Sequence, residues 1–159
     1  MIATVETQIR VCRIEDREEA NRLLYQESVI HADGVPDFFI PLEENFTEKT
    51  WEDTLNAADQ VVLCAQREPG VLCGICHLIF YEASGWVHMK NAHVMNIVVD
   101  EVCRGQGIGS MLLDEAERVA KEWGAVQLNL WCWEFNSGAR RLYESRGMHP
   151  QRSVLIKDL

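Results

Sequence analysis

Apolar positions along the chain change period from two to nearly four and back, and that alternation predicts the order of elements. Residues 8–14 read as a strand, 15–30 as a helix and 47–55 as a second helix opened by Thr47 as N-cap. Strands follow over about 60–67 and 71–81, joined by Glu68-Pro69-Gly70-Val71, whose Pro-Gly centre suits a type II turn. A hairpin-like turn at Glu82-Ala83-Ser84-Gly85 leads to a strand within about 86–99. Over 107–123, Ile108, Leu112, Ala116, Val119 and Trp123 form one apolar stripe, closed by Gly124. A strand at 126–133, a helix at 136–146 and a last strand at about 148–157 complete the order. No repeat, linker or low-complexity tract interrupts it, so the expectation is one α/β (α+β) domain over residues 1–159.

The junction at 94–110, VMNIVVDEVCRGQGIGS, passes from an apolar strand through a glycine-rich loop into an amphipathic helix. A helix N-terminus leaves backbone N–H groups unpaired at the positive end of the macrodipole, so such a junction can hold a phosphate. Gly105, Gly107 and Gly109 allow close backbone approach, and Arg104 adds a fixed positive charge. A Walker A loop is excluded because no lysine follows Gly109. The dinucleotide fingerprint is excluded because the spacing is G-x-G-x-G and several strand-like runs precede it. A tight strand-to-helix turn with no ligand is the plain alternative.

What remains is Arg104-Gly105-Gln106-Gly107-Ile108-Gly109, an R-x-x-G-x-G signature that resembles the coenzyme A pyrophosphate loop of the GNAT superfamily of N-acetyltransferases. Residues 136–148, NSGARRLYESRGM, resemble the closing helix of the same superfamily. Locally, Asn136 is a good N-cap, Gly147 a good C′ residue, and Asn136 and Tyr143 lie two turns apart on one face. The order of elements is also that of the GNAT fold, so the resemblance covers roughly residues 8–157.

That resemblance implies a mostly antiparallel mixed sheet with flanking helices, in which two parallel strands, here 94–99 and 126–133, splay apart to admit acetyl-coenzyme A. It implies coenzyme contacts at Ile97, Val98 and Val99, at Arg104, Gly105, Gln106, Gly107, Ile108, Gly109 and Ser110, and at Asn136, Ala139 and Tyr143. The backbone of 97–99 would pair with the pantetheine amides like an added strand. The chemistry implied is acetyl transfer from a thioester to an amine. A backbone N–H near Ile97 would face the oxyanion, and Tyr143 would protonate the departing thiolate.

The proton acceptor departs from the family pattern. Superfamily members often carry an acidic residue where this chain has Met95, and methionine accepts no proton. His93 would share the face of Met95 in a regular strand and is the catalytic candidate, acting through water; Asn96 could only orient a water. A structural histidine and a base-free site are the competing readings, and Met95 is also the feature that favours a non-catalytic acyl-coenzyme A sensor.

The formal net charge of −10 argues against nucleic acid and anionic membrane as partners and is compatible with a cationic amine. The expected partners are acetyl-coenzyme A and an amine-bearing acceptor, with a homodimer compatible with either functional reading. The start MIATVETQ lacks a signal-peptide pattern and no apolar run approaches membrane-spanning length, which leads to a cytoplasmic expectation. The cysteines read as reduced, buried hydrophobes, and no metal is expected. Cys73-Gly74-Ile75-Cys76-His77 matches the c-type haem attachment pattern, but in a regular strand two residues three apart face opposite ways. Between the first strand and the second helix, Phe38 and Phe39 beside Asp33, Asp37, Glu43 and Glu44 could frame a cationic amine with an apolar body.

Overall fold

The computed structural model describes residues 6–159; the first five residues of the stretch read above for a leader lie outside it. Five strands form one sheet in the order β1-β2-β3-β4-β5: β1 (Gln8–Val11), β2 (Gln60–Glu68), β3 (Val71–Tyr81), β4 (Asn91–Val99) and β5 (Gln127–Leu130). All neighbours are antiparallel except β4 and β5, which run parallel. Helices α1 (Arg17–Gly34), α2 (Glu48–Asn56), α3 (Ile108–Trp123) and α4 (Ser137–Ser145) connect them.

The sheet is buried on both faces. Ala20, Leu23 and Leu24 of α1 and Trp51 of α2 pack with Val62, Cys64, Leu72 and Ile75 in one core. Ile108, Leu112, Ala116 and Ala120 of α3 pack with Leu63, Cys76, Leu78 and Val94 in the other. The predicted stripe of α3 is therefore its buried face, with Val119 and Trp123 partly covered at its end. Thr47 caps α2 by accepting from the Thr50 amide at 3.2 Å, and Gly124 ends α3 in the left-handed region at φ 94°.

Three features depart from the pattern. Residues 149–159 form no strand, and Val154, Leu155 and Ile156 are exposed. The edge that β5 offers is four residues long, so a further strand finds too little backbone to satisfy its own N–H groups. Next, Ala65 pairs with Gly74 and Gln66 with Leu72, leaving Cys73 as an extra residue in β3. That bulge places Cys73 and Cys76 against the same core, correcting the expectation of opposite faces. Both thiols are buried, and Cys73 Sγ donates to the Ala65 carbonyl at 3.3 Å, so this motif is core packing. Finally, His77 pairs with Asn96 and Leu78 with Val94, which makes Met95 a bulge in β4.

Candidate functional site

β4 and β5 pair only from Asn91↔Gln127 to Val94↔Leu130. Beyond that point β4 runs on to Val99 while β5 has ended, so on this side the backbone from Met95 to Val99 has no strand partner among the described residues. The splay opens a cleft of about 970 Å³, lined by β4 from Val94 to Val99, the glycine loop, α4 and the C-terminal half of α1.

At one end of the cleft the chain turns into α3 through Gly107, which caps the helix at φ 81° without a side-chain acceptor. The first amide to close a helical bond is that of Met111, onto the Gly107 carbonyl at 3.1 Å. The preceding N–H groups thus face the opening. Gly109 serves a different need: a Cβ there would lie 2.9 Å from Leu142 Cδ2, so its absence lets α4 pack against the first turn of α3. Arg104 lines the same end and donates to the Val99 carbonyl at 3.1 Å. Asp100 anchors the loop from below, accepting from Arg22 Nη1 at 2.6 Å and from the Val102 amide at 3.3 Å.

Of the residues expected to contact coenzyme, Ile97, Val98, Val99, Arg104, Gly105, Gly107, Ile108, Gly109, Ser110, Asn136, Ala139 and Tyr143 all line this one cleft. Gln106 does not; its side chain turns back to the Val102 carbonyl at 3.4 Å. Asn136 caps α4 through the Ala139 amide at 3.2 Å, and Gly147 follows that helix at φ 83°. Tyr143 is on the cleft face of α4, and burial, with the nearby Cys132 and Glu27, pushes its hydroxyl pKa upward. It therefore holds its proton at neutral pH.

His93 sits elsewhere. It is 6% exposed, its Nδ1 lies 2.6 Å from Asn129 Oδ1, and its ring meets Trp131 edge-on at 5.1 Å. It belongs to the β4–β5 seam rather than to the cleft lining. His93 lies in the stretch still paired with β5, opposite Asn129, whereas the Met95 bulge after it breaks the alternation that would have put both side chains on one face.

The carboxylate missing from β4 comes from α1. Glu27 lines the cleft and accepts from Asn96 Nδ2 at 2.7 Å. Burial raises its pKa to about 7, against the opposing effect of the Asn96 hydrogen bond. Glu27 was missed in the sequence, although a signal existed. Ala20, Leu23 and Leu24 define the buried stripe of α1, and Glu27 is the next position on it, so a carboxylate interrupts an apolar face.

The acidic residues at the end of α1 and in the α1–α2 connection behave differently from the expectation. Phe39 lines the cleft, but Asp33, Asp37, Glu43 and Glu44 do not, and Glu44 pairs with Arg17 at 3.2 Å. Among the described residues, the one cluster of metal-ligand types is Cys12, Asp16 and Cys64, buried under β1. The Asp16 carboxylate there is already held by Arg10 at 2.7 and 3.0 Å and by the Arg13 amide at 2.7 Å. No helix among the described residues is long and apolar enough to cross a membrane.

Known proteins resemble this chain in sequence over part of its length and in fold over nearly all of it. A variant of the BH1408 protein from Bacillus halodurans superposes with a TM-score of 0.89 at 22% identity, over 96% of this chain and 99% of that one, which establishes the fold. A thialysine N-epsilon-acetyltransferase from Bos taurus is 31% identical over 86 residues, 54% of this chain and 51% of its own length. The chloroplastic GCN5-related N-acetyltransferase 4 of Arabidopsis thaliana is 39% identical over 67 residues, 42% of this chain and 22% of its own. The chain thus spans about half or less of these two relatives. The sequence profile of the acetyltransferase (GNAT) family matches residues 27–148, a span that runs from Glu27 through the splayed strand and glycine loop to the end of α4. With this match over most of its length, the chain belongs to the acetyltransferase (GNAT) family.

Proposed function

We propose that this protein transfers the acetyl group of acetyl-coenzyme A to an amine, with Glu27 as the proton acceptor and Tyr143 as the proton donor. One observation carries the reading: a half-buried carboxylate and a half-buried phenol line the same cleft as an unpaired strand edge and a helix N-terminus with no side-chain cap. The N–H groups at the start of α3 and Arg104 suit a pyrophosphate. The open edge of β4 suits the amides of a pantetheine arm.

In the reaction the amine nitrogen forms a bond to the thioester carbonyl carbon and the carbon–sulfur bond breaks. The amine must be neutral to attack, and an ammonium of pKa near 10 must lose a proton first. Glu27, with its pKa of about 7, is ionised in part at neutral pH and takes that proton. The leaving thiolate takes the Tyr143 proton, which burial keeps in place until then; the second proton, lost by the nitrogen as the amide forms, restores the Tyr143 phenol through water, and Glu27 releases its own to solvent. Asn96 orients the Glu27 carboxylate and leaves its second oxygen free for the amine or a bridging water.

A base in the cleft supports turnover over a sensor that binds acyl-coenzyme A and stops there. Incubation with acetyl-coenzyme A and a panel of amines, read by release of free thiol and by mass spectrometry of the product, decides the matter. Amine-dependent thiol release with an acetylated product is expected. Tight binding of acetyl-coenzyme A with no product from any amine would overturn the proposal.

A further inference from the structure

Resting on the transferase reading above, we infer that the acceptor is a monoamine carried on an aromatic or bulky apolar body, held by a wall of rings beside Glu27. The cleft has two chemically different parts. The glycine loop, Arg104 and Arg141 give one part its positive charge. The other is built from the end of α1, the α1–α2 connection and the β5–α4 connection, and its lining includes His31, Phe39, Ile40, Trp131 and Trp133.

His31, Phe38, Phe39, Trp133 and Phe135 form one connected set of rings, while Trp131 stands apart from it, with the Arg152 guanidinium over its ring at 5.7 Å. Phe39 meets His31 at 5.2 Å and Trp133 edge-on at 5.3 Å, while Phe38 backs Phe39 at 4.9 Å. Phe135 lies behind, edge-on to His31 at 6.2 Å and near Trp133 at 6.4 Å. It occupies the surface of α1 at Gly34, where any Cβ would collide with its ring. Gly34 therefore ties the β5–α4 connection to the end of α1 and sets the two halves of the wall against each other.

This surface is open to water: Phe38 is 72%, Trp133 40% and the adjoining Ile40 81% exposed. A contiguous apolar patch at the mouth of a cleft, with a convergent polar group at its base, marks a ligand site. Charge decides what kind of ligand. Glu27 is the sole acidic residue in the cleft lining among the described residues. The His31 pKa is lowered by burial, so its ring is neutral and does not repel an ammonium. Such a lining matches one positive charge on an apolar frame. A polyamine or aminoglycoside would bring several ammonium groups with one carboxylate to meet them, and its polar frame would be stripped of water against indole and phenyl faces.

The test compares 2-phenylethylamine, butylamine, spermidine and kanamycin as acceptors with saturating acetyl-coenzyme A. We expect kcat/KM for 2-phenylethylamine to exceed the others by about tenfold or more, as burial of one ring allows. Trp133→Ala should raise KM for 2-phenylethylamine by about tenfold while changing kcat and the KM for butylamine little. Phe39→Leu, which keeps an apolar side chain of similar reach, should give the same KM-specific loss in smaller degree and guards against a misfolded first variant. Preference for spermidine or kanamycin, or equal losses for all amines in both variants, would overturn the aromatic acceptor and leave the transferase standing. Absence of thiol release with all four amines and with every amine of the wider panel would defeat the transferase reading itself.

Discussion

Asn96 of β4 reaches across to α1 and donates its side-chain amide to Glu27 at 2.7 Å, joining the bulged strand to the one carboxylate that lines the cleft among the described residues. The bulge at Met95 is the backbone device behind this contact. It shifts the facing of the strand by one residue from there on, so that Asn96 meets α1, while His93, before the bulge, stays opposite Asn129 in the β5 seam.

Glu27→Gln should lower kcat by about 100-fold or more, since the amide cannot accept the proton. In the unmodified protein kcat/KM should rise through an apparent pKa of about 7, the value burial imposes on Glu27, and that limb should vanish in the variant. His93→Ala should keep the limb. A pH–rate series of the three proteins checks this; loss of the limb in His93→Ala alone would return the role to the histidine.

The same carboxyl has a stability signature. Its folded pKa lies above its ordinary value of 4.5, so its contribution is most favourable at acid pH and falls as pH rises to about 7, then levels. Glu27→Gln should therefore raise Tm at pH 8 more than at pH 5, with a differential on the order of 1–3 kcal/mol. Calorimetry at the two pH values measures it, and an equal change at both would mean that the carboxyl is not perturbed.

Asn96→Ala tests positioning rather than proton transfer. Its hydrogen bond favours the charged form of Glu27, so removing it should move the kcat/KM limb to more alkaline pH by about one unit. An unmoved limb with a uniformly lower rate would limit Asn96 to a structural role.

Gly107→Val should abolish stabilisation by acetyl-coenzyme A. At φ 81° a side chain is strained by about 1–2 kcal/mol, yet a Cβ there meets no protein atom within 4 Å, so the unliganded protein should fold with a modestly lower Tm. Thermal shift with and without the coenzyme measures both effects. A full ligand-induced shift in the variant would mean that the loop does not hold the phosphates.

Tyr143→Phe preserves the ring packing and removes the proton. We expect kcat to fall about tenfold with coenzyme affinity changed little, because a thiolate leaves tolerably well unaided. Equal kcat in single-turnover measurements would make Tyr143 a packing residue.

The chain by itself determined whatever depends on neighbours in sequence. The stripe of Ile108, Leu112 and Ala116, the Pro69-Gly70 turn, the Thr47 and Asn136 caps and the glycine-led entry into α3 are local preferences, and each is present in the fold. The phosphate-type junction was legible for the same reason: its requirements lie within six consecutive residues, 104–109. Tertiary structure decided the rest. Whether Cys73 and Cys76 face one core, whether Met95 and His93 share a side, and whether 148–157 finds a strand to join depend on bulges and partners set by pairing with distant segments. Glu27 is the sharpest case. It lies 69 positions from Asn96 in the chain, and only the packing of α1 against the bulged strand shields it in part from water and gives it a hydrogen bond, a raised pKa and a place in the cleft.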